Sequence, residues 1–309
     1  MSHFIRRCAI LTLTATASYL VATLIIAADA PGSTRAGSAA RSNTSEKSVE
    51  RSYIRVTQDD HGKPIALETS IVHLVGPNGL SVDLISAVHV ADHGYYDALN
   101  QRFEKYDVVL YELVAPEGTV IPKGGGNRNR NPLSSVQNAL KDLLDLEYQL
   151  SGIDYTKKNF VHADLSPEGF AKSMQDKGES FWTIILRLMA AGMVQQANNP
   201  GKTSELDLLL ALFDPERALK MKRILADQFA DMDVLITAFN GANGSTLITE
   251  RNKAALTVLA REIAAGHKKI AIFYGGGHMP DMEPRAIAEF HLKRDGQQWL
   301  EAWNLRDKK

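Results

Sequence analysis

Two histidines and one glutamate have the types and positions that could do chemistry. His89 follows the run DLISAV, Glu112 lies within DVVLYELV, and His278 follows IAIFYGGG. In an open α/β sheet, functional groups gather at the carboxyl ends of the strands. If the three runs are neighbouring strands, about 5 Å apart per step, the three side chains can meet in one crevice. Two imidazoles and one carboxylate form a ligand set for a divalent cation, with positions left for water and substrate. Each residue also has an ordinary structural reading. A lone histidine is most often a core residue bonded to backbone, and Glu112 could be an arginine's structural partner. A carboxylate inside VVLYELV would still cost several kcal/mol to bury ionised and alone, so the fold must supply a cation, hydrogen-bond donors or a metal.

Other residues could serve the same crevice. Gly275, Gly276 and Gly277 permit a sharp exit from the strand before His278, and the helix that follows presents an N-terminus suited to an anion. No GK[ST] follows there or in GGGNRNRN, so nucleotide binding is not expected. Arg251, in LITERN, is a permanent cation able to bind a carboxylate or stabilise an oxyanion; a surface or Glu-paired arginine is an equal alternative. Glu250 and Asn252 are weaker candidates. For Asp92, His93, His162 and Asp164, also near strand ends, helix capping or loop solvation is favoured over ligation.

These positions need strands and helices to hold them. SYIRVTQ, ALETSIVHLVG and SVDLISAVHV read as strands separated by HGKP and PNG turns. DHGYYDALNQRFEKY suits a helix and DVVLYELV a buried strand, giving a β-α-β unit. From about 118 to 240 the pattern is mainly helical: Leu133, Val136, Leu140, Leu143 and Leu144 share a face, Asp214-Pro215 marks a helix start, and NFVHADL interrupts as a short strand. FWTIILRLMAAGMV is apolar nearly all round and reads as a buried helix, ahead of a lid over the site or a membrane-facing surface. The chain then returns to α/β with a capped helix STLITERNKAALTVLAREIAAG, a strand KKIAIFY, a helix after GGGHMP, and a hairpin around Asp295-Gly296. The expected fold is α/β (α+β): a central mixed β-sheet formed by the N- and C-terminal parts, helices packed on it, and a helical insertion at 118–240.

Composition narrows the class. The 309 residues are 44% hydrophobic and 23% charged, enough to bury a full core, and the formal net charge of -1 offers no field for nucleic acid. Arg6 and Arg7 precede an uncharged run from Cys8 to Ala28, the order of an export signal. The run also matches the roughly 20 residues of a spanning helix, so residues 1–30 read as a signal peptide or an N-terminal membrane anchor. Residues 31–51, rich in Gly, Ser, Arg and Thr, read as a disordered linker, and 52–309 as a single domain. Cys8 is the only cysteine, so the domain carries no disulfide, zinc ribbon or cysteine nucleophile. Export places the domain outside the cytoplasm, in a periplasmic or other extracytoplasmic space, with membrane contact through the N-terminal segment if it is not cleaved.

The order VH, DVVLYEL, ERN, YGGGHMP resembles the TraB, PrgY, GumN and Tiki superfamily over about Leu84 to Glu283. In that superfamily a GxxH, a Glu after a hydrophobic strand, an ER(N) segment and a second GxxH recur. Gly275 to His278 fits the second motif in full; Ser86-Ala87-Val88-His89 has Ser in place of the first Gly. The resemblance implies a hydrolytic fold shared with erythromycin esterase-like and ChaN-like proteins. It also implies a metal-dependent peptidase using manganese or cobalt, zinc not being excluded. A peptide or small ester is the expected substrate. Two other readings stand beside this one: a metal-free hydrolase with His89 or Glu112 as general base, and a non-catalytic peptide-binding protein. A purely structural envelope role ranks lowest.

Overall fold

A computed structural model describes residues 52–124, 146–180, 214–230 and 244–307, with positions 183 and 211. The N-terminal segment and linker, nearly all of GGGNRNRNP, the helix expected through Leu133 to Leu144, and nearly all of FWTIILRLMAAGMV lie outside the described residues. No helix among the described residues is long and apolar enough to cross a membrane.

Strands β1 (Ile54–Gln58), β2 (Pro64–Val75), β3 (Ser81–Ala87) and β4 (Val90–Ala91) come first, then helix α1 (His93–Phe103) and strand β5 (Val108–Tyr111). The middle holds β6 (Glu147–Tyr148), the one-turn α2 (Gln149–Gly152), β7 (Phe160–His162), α3 (Pro167–Asp176) and α4 (Arg217–Ala230). A π-helical turn (Thr246–Glu250) leads into α5 (Arg251–Ala264). Then come β8 (Lys269–Gly275), a 3-10 turn (Gly276–His278), α6 (Met279–Phe290) and β9 (Lys293–Asn304).

The main sheet is seven-stranded and mixed, in the order β1-β2-β3-β8-β5-β7, with β9 also paired to β2. Strands β3, β8, β5 and β7 are parallel, and β2 is antiparallel to β1, β3 and β9. The N- and C-terminal parts therefore build one sheet, as the sequence predicts. The β3-α1-β5 unit is present, but its strands are not adjacent: β8, from the C-terminal part, lies between them.

Period-2 alternation explains why these strands are buried on both faces. Ile85, Val109, Tyr111, Ala271 and Phe273 enter a core with Tyr95, Tyr96, Leu99 and Phe103 of α1 and Met221 and Leu225 of α4. Their neighbours Leu84, Val108, Leu110, Ile270, Ile272 and Tyr274 enter a second core with Ala255, Leu256 and Leu259 of α5 and Met279, Met282 and Ala286 of α6. The β3-to-β5 crossover and the β7-to-β8 return move in opposite directions across the sheet. Right-handed crossovers then require their helices on opposite faces, where α1 and α5 are found.

Two sequence expectations change. Lys293–Asn304 is one continuous strand and not a hairpin: His73 pairs with Gly296 and Leu74 with Arg294, so Asp295 is extruded as a bulge. The long edge of β2 offers partners on both sides of Asp295-Gly296, and main-chain pairing overrides the local turn signal. Within 118–240 the short strand expected at NFVHADL is present as β7 and joins the main sheet beside β5, while β6 pairs with β4. Asp214-Pro215 forms the turn before α4, its side chain accepting from the Glu216 N–H at 2.8 Å, and the helix begins at Arg217.

Candidate functional site

Four parallel strands end on the same side of the sheet, and each delivers a polar residue there. His89 lies two residues beyond β3, Glu112 one beyond β5, Asp164 two beyond β7, and Gly275 closes β8 ahead of His278. Alternation aims Glu112: Tyr111 enters the α1 face, so the next side chain turns toward α5. Arg251 begins α5 and meets it.

Glu112 is buried, and both its oxygens are held. Oε2 accepts from the Gly275 N–H at 2.7 Å and Oε1 from Arg251 Nη2 at 2.7 Å. Arg251, also buried, grips Asp164 with Nε at 2.9 Å and Nη2 at 2.5 Å. Burial opposes ionisation of Glu112, but Arg251, followed by His278 and His89, outweighs it and holds the carboxyl well below its usual range. The structural reading of Glu112 as an arginine's partner is therefore correct as a contact. Its arginine is itself one of the candidate site residues.

His278 is oriented by Asn252. The Asn252 amide nitrogen donates to the His278 carbonyl at 3.1 Å and to Asp281 at 2.8 Å, so its oxygen is the atom facing His278 Nδ1 at 2.7 Å. Nδ1 therefore donates to that oxygen, and Nε2 faces Glu112 Oε1, 3.6 Å away. The His278 ring also packs edge-on against Tyr274, whose hydroxyl donates to the Ala163 carbonyl and ties the ends of β8 and β7 together. Burial, with Arg251 and His278 nearby, lowers the His89 pKa below 6.5 against the pull of Glu112.

The centre of the site is a gap beside Gly275. A Cβ placed there would lie 3.4 Å from Glu112 Oε2, 3.8 Å from His89 Nε2 and 3.8 Å from His278 Cδ2. Glycine leaves that volume open. Among the described residues no three His, Cys, Asp or Glu side chains already stand at metal-holding distances. The donor set still fits a divalent cation. It offers two imidazoles, one with its distal nitrogen already bonded, and the Glu112 carboxylate, while the two carboxylates Glu112 and Asp164 against one guanidinium leave an excess negative charge.

His89, Glu112, His278, Arg251, Asn252 and Gly275 thus converge. Gly276 serves packing, since a Cβ there would meet Ile54 Cδ1 at 2.7 Å. Gly277 lies in the 3-10 turn that carries His278. Glu250 faces away, paired with Lys177 at 3.1 Å and Lys253 at 3.0 Å. Asp92 is structural, binding Lys222 and the Asn304 N–H, and His93 is an exposed partner of Glu147. His162 donates to the Leu113 carbonyl at 2.6 Å. Asp164 departs from the expected capping or loop role: its side chain is fully buried and forms one arm of the Arg251 clamp. Sequence reasoning missed Gln149, which stands beside His89, and Tyr155, to which Gln149 is bonded; no spacing marks them, because the distant β6 to β7 segment brings them in. Comparisons with family models, with curated proteins and with solved structures gave no match.

Proposed function

We propose that this chain is an exported, metal-dependent hydrolase of the TraB, GumN and Tiki type, acting on peptides, with His89, Glu112 and His278 as the cation's ligands. The observation that carries the reading is the convergence on Gly275: His89 Nε2, Glu112 and the His278 ring surround the space that glycine leaves open. Asn252 supports it further, by engaging His278 Nδ1 and so turning Nε2 toward Glu112. A divalent cation bound there would lower the pKa of a coordinated water and polarise a carbonyl. The chain's own groups do the rest. Arg251 keeps Glu112 ionised and fixed in place, Asp164 fixes Arg251, and the Gly275 N–H holds the second carboxylate oxygen.

A second reading draws on one observation. Arg251 already compensates Glu112 at 2.7 Å, so the carboxylate does not need a metal for its burial. In that case His89 acts as the base on water and Glu112 stabilises the imidazolium. Metal content of the full-length chain, beside His89→Ala and His278→Ala, separates the two. Near-stoichiometric manganese, cobalt, zinc or iron lost in both variants supports the first reading. Peptide hydrolysis that resists chelators and needs no metal supports the second.

A further inference from the structure

His278 is set by an amide, and His89 has an amide beside it too. His89 directs Nε2 toward Gly275, so its other ring nitrogen needs a partner outside the crevice. Gln149, at the start of α2, is placed to supply one. Its backbone N–H donates to the His89 carbonyl at 2.9 Å. Its side chain is buried, and its Nε2 donates to the Tyr155 hydroxyl at 3.0 Å. With nitrogen on the phenol, the oxygen is the end left over. Oε1 is buried without a hydrogen bond. Leaving a buried acceptor unpaired is costly, so the fold is expected to supply it a donor. The amide lies beside the His89 ring.

The geometry points to Gln149 as the positioning residue of His89, with Oε1 accepting from Nδ1–H so that Nε2 is held as a lone pair toward Glu112. The two imidazoles are then set by amides from opposite faces of the sheet: Asn252 on α5 beside one core, Gln149 against the other. The use of that lone pair rests on the metal-ligand reading above; its orientation does not.

The test uses the full-length chain with nitrogen-15 histidine. NMR couplings report the His89 tautomer, assigned by the signal lost in His89→Ala, and calorimetry reports Mn²⁺ affinity. The wild type should show His89 protonated at Nδ1. Gln149→Leu should shift His89 toward the other tautomer and weaken Mn²⁺ binding about 10- to 100-fold, while Gln149→Glu, which keeps an acceptor, should retain both. Wild-type His89 protonated at Nε2 would overturn the inference without any variant. So would a Gln149→Leu chain, folded by circular dichroism, with unchanged tautomer and affinity. Failure of the wild type to bind Mn²⁺, or another divalent ion, counts against the metal reading alone, because the tautomer still decides the role of Gln149.

Discussion

Replacing Arg251 with leucine should expose how much of the site is held by one guanidinium. Nη2 touches Glu112 at 2.7 Å and Asp164 at 2.5 Å, so the two carboxylate oxygens lie no more than about 5 Å apart. With the cation gone, their repulsion at an effective dielectric of about 20 is roughly 3 kcal/mol. That agrees with the cost of about 3–5 kcal/mol for removing one member of a buried ion pair. Urea unfolding of the full-length chain and Arg251→Leu, followed by tryptophan fluorescence, should show a loss in that range at pH 7.5. The pH dependence should also change sign. In the native protein the Glu112 pKa is depressed, so its contribution is present above 4.5 and lost as pH falls through the folded value. In the variant one carboxyl has a folded pKa raised above its unfolded value, so stability is greatest at low pH and falls as pH rises through the folded value. The deficit should therefore shrink on acidification. Arg251→Lys should recover only part of it, because an ammonium lacks the planar fork that spans both acids. A loss below about 1 kcal/mol, or a deficit independent of pH, would refute the clamp.

Further outcomes follow from other residues. Gly275→Ala should fold, since its nearest contact would be an ordinary 3.4 Å, yet its methyl fills the gap between His89, Glu112 and His278. Metal uptake or hydrolysis should fall at least about tenfold, and full retention would dissociate that gap from function. His291, exposed and left-handed at φ 54, ends α6; His291→Gly should stabilise by about 0.5–1 kcal/mol, read as a rise in urea midpoint, with an unchanged midpoint arguing against strain there. Burial depresses the His89 pKa first of all, so its contribution to stability is present above 6.5 and lost as pH falls from there through the folded value. The pH slope of wild type minus His89→Gln between 6.5 and 5 should be positive, at most about 1.4 kcal/mol per unit, and a zero difference would contradict the burial. Gly152→Ala would place its Cβ 2.5 Å from Tyr96, a side chain bonded to the Val88 carbonyl next to His89. Overpacking should cost about 1–3 kcal/mol in thermal or urea unfolding, and a neutral result would show that Tyr96 can move.

The strands were legible because burial on both faces leaves continuous apolar runs such as DVVLYELV, and the helices because capping and glycine exits frame them, as Ser245 and Gly266 frame the α5 segment. His89, Glu112 and His278 were legible as polar residues interrupting or ending such runs. Strand order was not: nothing local tells β8 to insert between β3 and β5, and this long-range choice is what brings Glu112 to Gly275. Asp164 resembled a loop acid because its partner lies 87 positions away at Arg251. Gln149 carries no signal at all, since its surroundings depend on which histidine its short helix is laid against. Asp295-Gly296 misled for the opposite reason, a strong local turn preference overruled by pairing with β2.

The position of β8 also sets an order of events. Its parallel neighbours on both sides, β3 and β5, are made early, while β8 and the long β9 belong to the last part of the chain. Until those residues are free, β3 and β5 have no strand to join them, both cores lack their centre, and Glu112 lacks both its arginine and its glycine N–H. Contacts of such high sequence separation form slowly. Neither core of this topology is complete until β8 is in place between β3 and β5.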